Sequence, residues 1–163
     1  GGGSITILER GSTTTPMRFR MVAGKGVAPP APECHPSQTE DFKVISGTLD
    51  LGMVNGVHVV LHAGDTFHLP AGAPHLPNAT EGTVFEATMT PGLETADMFI
   101  DLFEAFREHK GFGQFVRIAM VMRRYRTNIS FSPAINAVMT VVAAGARACG
   151  LEKKAPKSLP QTT

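Results

Sequence analysis

Four side chains in the first half of the chain have the types and spacing for proton transfer or metal ligation. Glu33 and His35 stand two residues apart, so on an extended strand they point to the same face. Glu40 lies past the turn-favouring segment Pro36-Ser37-Gln38-Thr39. It opens the alternating run Glu40, Phe42, Val44 against Asp41 and Lys43, so it should share an inner face with Phe42 and Val44, which then line the space where a substrate would sit. His75 follows the rigid turn Pro70-Ala71-Gly72-Ala73-Pro74, which fixes the direction from which its ring emerges. Two histidines with two carboxylates suit iron, manganese, nickel or zinc. Two carboxylates kept close and desolvated also suit general acid/base chemistry, one protonated while the other is ionised.

Such a cluster needs a framework of strands. Apolar and β-branched runs predict strands at Ile5–Leu8, Met17–Val22, Phe42–Ile45, Thr48–Met53, Val57–His62, Thr66–Leu69 and Thr83–Met89. Turn residues separate them, and Asn55-Gly56 between two apolar runs predicts a tight hairpin. Many short strands at this spacing predict a sandwich or barrel.

After Pro91-Gly92 the period becomes helical. One helix should carry the stripe Ala96, Phe99, Phe103 and Phe106 and stop at Gly111; a second should bury Phe115, Ile118, Ala119 and Met122. A third should be capped by Ser132, with Pro133 in its first turn, and end at Gly150. It is apolar on nearly every side from Ala134 to Cys149, so it must be covered.

Read in order, the site segments give Glu33-x-His35-x4-Glu40-x6-Gly47, then Gly64-x5-Pro70-x-Gly72-x2-His75-x2-Asn78. This resembles the two-part signature of the cupin superfamily. Met17-Arg18-Phe19-Arg20, Pro29-Pro30, Phe42 to Gly47, and Thr90-Pro91-Gly92 before a Phe-rich helix are similar to a group of small single-domain cupins with C-terminal helices. The resemblance implies a mainly β fold, a double-stranded β-helix or jelly-roll barrel over residues 5–92, with a helical extension over 93–150. It leaves 151–163 as a polar tail and 1–4, Gly-Gly-Gly-Ser, as an appended linker. Members of the family carry a metal on two histidines, a glutamate and a third histidine. Here His35, Glu40 and His75 match, while Glu33 stands at the first histidine's place, and Asn78 sits one residue closer to its histidine than is usual. The site can therefore hold one divalent metal, with Glu33 as a carboxylate ligand, or work without one, with Glu33 as an acid/base group.

Three functions follow. The first is an enzyme acting on a small, largely apolar molecule by isomerisation, cyclisation, dehydration or ring opening, with specialised metabolism as the setting that the resemblance suggests. The second is an Fe(II)-dependent dioxygenase, and the third a non-enzymatic binder of a small ligand. His68 and Glu86 are further candidates for the substrate pocket. Arg18, Arg20, His58 and His62 should face solvent, as should Tyr125 in its basic surroundings.

At 163 residues with 42% hydrophobic content, one core is expected. Cys34 and Cys149 are too few for a disulfide framework, and Cys34, between two site residues, should face the opposite side. The start lacks basic and apolar regions, so a cytoplasmic protein is the expectation, with neither a membrane span nor a nucleic-acid partner. The net charge of +1 conceals a split: residues 1–100 carry −5, residues 101–163 carry +6. A homodimer through the C-terminal helices would cover the apolar third helix and match these charges.

Overall fold

The computed structural model describes residues 3–25, 29, 31–108 and 110–151. Expectations for residues 1–2, for Pro30 and for the tail past 151 lie outside the described residues. The remaining chain forms eight strands and then three helices: β1 (Ser4–Glu9), β2 (Met17–Val22), β3 (Thr39–Ser46), β4 (Thr48–Val54), β5 (Val57–His62), β6 (Thr66–Leu69), β7 (Asn78–Ala79), β8 (Val84–Thr90), α1 (Thr95–Glu108), α2 (Gly111–Arg124) and α3 (Pro133–Ala148). β1 begins at Ser4, so the strand reaches into the segment read as an appended linker. The short β7, which no periodicity announced, pairs with β4.

The strands form two antiparallel sheets, one ordered β1-β2-β8-β3-β6 and the other β5-β4-β7. Their inner faces make one core. From β3 it takes Phe42 and Val44, from β8 Phe85, Ala87 and Met89, from β4 Leu49 and Leu51, and from β2 Met17 and Phe19. Each large side chain buried there contributes about 1.5–3 kcal/mol. Register puts Glu40 opposite Met89 on one side and Leu69 on the other, so a carboxylate is carried inside an otherwise apolar wall. The hairpin at Asn55-Gly56 joins β4 to β5 with both residues at positive φ (48° and 83°), as a two-residue turn of this kind requires. Gly47, between β3 and β4, has φ +84° and lies so near Thr83 that any Cβ would stand 2.8 Å from the Thr83 Cα.

The helices follow in a second layer. Phe99 of α1 packs edge-on against Phe19 of the barrel, ring centres 5.1 Å apart. A smaller core joins Met98, Met122, Tyr125 and Ile129. Tyr125 is 1% exposed, which corrects the expectation that it faces solvent. Its ring fills this second core while its hydroxyl donates to Asp101 at 2.8 Å, so the one polar atom is satisfied and the basic neighbours do not decide its place. Burial and the Asp101 carboxylate raise its pKa.

Two helical expectations also change. Gly111 does not end α1 but turns the corner, at φ +58°, into α2. On α2 the buried residues are Val116, Ala119 and Met122, while Phe115 is exposed. The ends of α3 are as expected: Ser132 accepts from the Ile135 N–H, Pro133 starts the helix, and Gly150 follows at φ +71°. Within the single chain, however, α3 buries only Ala143 and Ala146 and leaves Val138 and Val141 exposed.

Candidate functional site

The segment before β3 is extended, and it is clamped on both sides. Glu33 and His75 exchange backbone hydrogen bonds of 2.8 and 2.9 Å; Cys34 and Ser130, from the α2–α3 connection, do the same. Alternation therefore turns Glu33 and His35 together toward His75, while Cys34, half-buried, is held by its backbone against the helical layer. Burial, and next the Glu33 charge, raise the Cys34 thiol's pKa. His75 enters from the Pro70–Pro74 turn, which Gly72 closes by donating its N–H to the His35 carbonyl at 2.8 Å.

The four expected residues meet. Ligand atoms of Glu33, His35 and His75 lie within 4.8 Å of one another. Glu40 Oε2 is 3.3 Å from His35 Nε2 and 3.5 Å from His75 Nε2. The imidazole rings are 5.3 Å apart, and Phe42 stands edge-on to His75. His35, Glu40 and His75 are buried, whereas Glu33 is only partly covered.

The orientation of the rings is set from behind. Nδ1 of His35 donates to the Asn128 carbonyl at 2.7 Å, and Nδ1 of His75 faces the Ala73 carbonyl at 3.3 Å. Each ring thus presents Nε2 to the cluster. Glu40 Oε2 and His75 Nε2 are buried without an aligned hydrogen-bond partner.

Charge in this site is strongly redistributed. For Glu33, desolvation raises the pKa, opposed by His35 and His75 and reinforced by Glu40. For Glu40, desolvation would also raise it, but the facing histidines outweigh that and hold the carboxyl down to about 2. Burial works against a charged His35, yet Glu40 and Glu33 with the Asn128 carbonyl push it up to about 9. At neutral pH His35 and Glu40 form an ion pair, with Glu33 the more easily protonated carboxyl.

Two expected pocket residues lie elsewhere. His68 precedes the inward Leu69 on β6, so it points outward, exposed, with Nδ1 2.6 Å from Asp41. Glu86 lies between inward Phe85 and Ala87 on β8, so it too faces out, bonded to Arg20 at 2.6 Å and near Arg18. Phe42 and Val44 are inside, and Arg20, His58 and His62 are exposed with Arg18 half-exposed.

Three residues beside the site had no signal in local spacing. Gln38 Nε2 donates to the carbonyls of Pro91 (2.7 Å) and Gly92 (3.1 Å) and to the Thr95 hydroxyl (3.0 Å), and Asn128 completes this buried group. Away from the cluster, a groove of about 530 Å3 opens between β1 and α1, floored by Ile5, Ile7, Phe99 and Phe103; none of the four site residues lines it. Among the described residues no helix is long and apolar enough to cross a membrane.

Residues 17–90 match the family model described as a cupin domain. The barrel is a cupin domain. Solved structures similar to the chain include KdgF from Halomonas sp., at 21% identity over 55% of this chain and 81% of that one, with a TM-score of 0.47. An RmlC-like cupin from Shewanella frigidimarina matches at 23% identity over 56% and 78%, TM-score 0.45. Pac13, a nucleoside dehydratase from Streptomyces, matches at 14% identity over 55% and 70%, TM-score 0.45. Comparison with curated protein sequences finds no match. Residues 17–90 thus form a cupin domain, which three helices follow, and Glu33, His35, Glu40 and His75 all lie within the matched span.

Proposed function

We propose that this cupin is an enzyme that acts on a small, largely apolar organic molecule by general acid/base chemistry. The observation that carries this reading is the opposite displacement of two carboxyls in one cluster: Glu33 raised and Glu40 held down to about 2. Pairs of titratable groups driven apart in this way divide the roles of acid and base. Glu33, whose carboxyl burial keeps easily protonated, donates or recovers the proton. Glu40 stays ionised, its Oε2 3.3 Å from Nε2 of His35, and its charge favours a protonated His35 ring, so that positive charge faces any oxygen that becomes negative. Phe42 and Val44 supply the apolar wall.

The donor set also fits a divalent metal. Both histidines aim Nε2 at Glu40, two buried lone-pair atoms there lack aligned partners, and Glu33 adds a second carboxylate. His35, Glu40 and His75, with Glu33, would hold the ion, which when bound would polarise a substrate oxygen as a Lewis acid.

The test uses protein purified without added metal and incubated in D2O with a panel of small hydroxy and keto compounds. Mass spectrometry should find deuterium incorporation or loss of water, abolished in Glu33→Gln. Stoichiometric iron with oxygen consumption would replace this reading by a dioxygenase. A co-purifying compound returned unchanged after long incubation would replace it by a binding protein.

A further inference from the structure

The connection from Tyr125 to Ser132, between α2 and α3, reaches the site twice. Ser130 pairs with Cys34 along the backbone, and the Asn128 carbonyl lies 2.7 Å from Nδ1 of His35. A ring nitrogen facing a carbonyl must carry the hydrogen and donate it, which leaves Nε2 as the atom that works toward Glu40. Asn128 is itself fixed. Its side chain is 1% exposed. Oriented to satisfy its neighbours, its Oδ1 accepts from the N–H groups of Glu94 (3.1 Å) and Thr95 (3.0 Å) and from the Thr95 hydroxyl (3.0 Å), while its NH2 donates to the Thr127 hydroxyl. Thr95 Oγ1 accepts in turn from Gln38 Nε2. The side chain therefore closes the first turn of α1 as a cap would, and the same residue's carbonyl holds the histidine.

We propose that Asn128 is a positioning residue for His35, so that the helical extension forms part of the working site. The proposal rests on the reading that His35 acts through Nε2. Asn128 cannot swing away from His35 without leaving three hydrogen bonds at the start of α1. The barrel segment bearing Glu33 and His35, the α1 N-terminus and the α2–α3 connection then behave as one unit. The chemistry of the barrel depends on helices outside it.

The experiment reads the His35 Nδ1–H directly, in metal-free and substrate-free protein labelled with 15N-histidine. The signal is assigned by its loss in His35→Gln. In the wild type this N–H should exchange slowly with solvent. In Asn128→Ala exchange should be at least about tenfold faster, and Zn2+ affinity should fall by about tenfold or more. Asn128→Asp, which keeps every acceptor that Oδ1 provides, should restore both. Ser132→Ala, which weakens the same connection at the α3 cap without touching Asn128, should leave both unchanged. If Asn128→Ala does not fold, Thr95→Val decides: it removes one of the bonds that pin Asn128 and should also speed exchange. Unchanged exchange in Asn128→Ala, or in Thr95→Val where that variant decides, overturns the proposal. So does equal acceleration in Ser132→Ala. Because the exchange measurement needs neither metal nor turnover, a wild type inert toward every compound in the panel would count against the proposed function and leave this result standing.

Discussion

Glu33 and His75 exchange both backbone hydrogen bonds, 2.8 Å in one direction and 2.9 Å in the other, although they are separated by the whole of β3 to β6. Residues opposed in this way hold their side chains on one face, so the position of the Glu33 carboxyl is set by backbone and not by any ion in the site. Glu33→Gln keeps that pairing and the side chain's shape while removing the ionisable proton. It should fold as the wild type does and lose turnover by about 10²–10⁴-fold. Circular dichroism and a single-turnover assay on the substrate identified by the panel check this; undiminished turnover removes Glu33 from the mechanism.

Metal binding should be coupled to proton release. His35 carries a proton at neutral pH because Glu40 and Glu33 hold it, and a metal must displace that proton. Calorimetric titration with Zn2+ in buffers of different ionisation enthalpy should report protons released, with weaker binding as pH falls from 8 to 6. Glu33→His, which supplies the family's usual ligand, should bind Zn2+ more tightly than the wild type. Equal or weaker binding in Glu33→His would show that the carboxylate is already the better ligand in this site.

The stability of the metal-free protein should depend on pH in a predictable way. Glu40, held down to about 2, contributes stability that is complete above pH 4.5 and is lost as pH falls through 2. His35, pushed up to about 9, contributes stability that is complete below pH 6.5 and is lost as pH rises through 9. Glu33 works in the opposite sense to Glu40, since its raised carboxyl erodes stability as pH rises above 4.5. In Glu33→Gln that erosion is absent, so Tm should be highest between about pH 4.5 and 6.5 and fall by several degrees on either side. A Tm that stays flat from pH 6.5 to 9 would mean that His35 is neutral.

The two faces of the barrel should separate cleanly under mutation. His68→Ala and Glu86→Ala alter outer-face side chains that pair with Asp41 and Arg20, and turnover should stay within about twofold of wild type. Phe42→Ala empties a core position against His75 and Phe85, and should cost about 3–5 kcal/mol in a denaturant titration. A large loss of turnover in Glu86→Ala with unchanged stability would return that residue to the site.

A homodimer remains the proposed cover for the helical layer. Phe103, Phe106, Phe112, Phe115, Val138 and Val141 are exposed on α1, α2 and α3, an apolar display of the kind that marks an interface. The opposite charges of residues 1–100 and 101–163 favour a second copy as the occupant. Light scattering at micromolar concentration should give twice the 17.3 kDa chain mass, and Val138→Asp should give monomer or aggregate. A wild-type mass of one chain sinks the proposal.

What the sequence determined by itself is local. Alternation in β3 placed Glu40, Phe42 and Val44 on one inner face, Asn55-Gly56 placed the hairpin, and Ser132-Pro133 with Gly150 placed both ends of α3. Each is decided by neighbours within a few residues, through strand pleat, positive φ or a capped helix end. The spacing of Glu33, His35 and Glu40 placed side chains on a shared face only within their own segment; it was the resemblance to the two-part cupin signature that brought His75 into the same site. His68 and Glu86 were ambiguous only in phase: a strand has two faces, and which one meets the core depends on the register of β6 and β8 against β3. Tyr125 and Asn128 were beyond reach for a different reason. Their partners, Asp101 and His35, are 24 and 93 positions away, and no pattern within a helix or a loop encodes a hydrogen bond to another layer of the fold. Only the packing of α1 and the α2–α3 connection onto the barrel decided that a tyrosine among arginines is buried and that an asparagine carbonyl holds the site histidine.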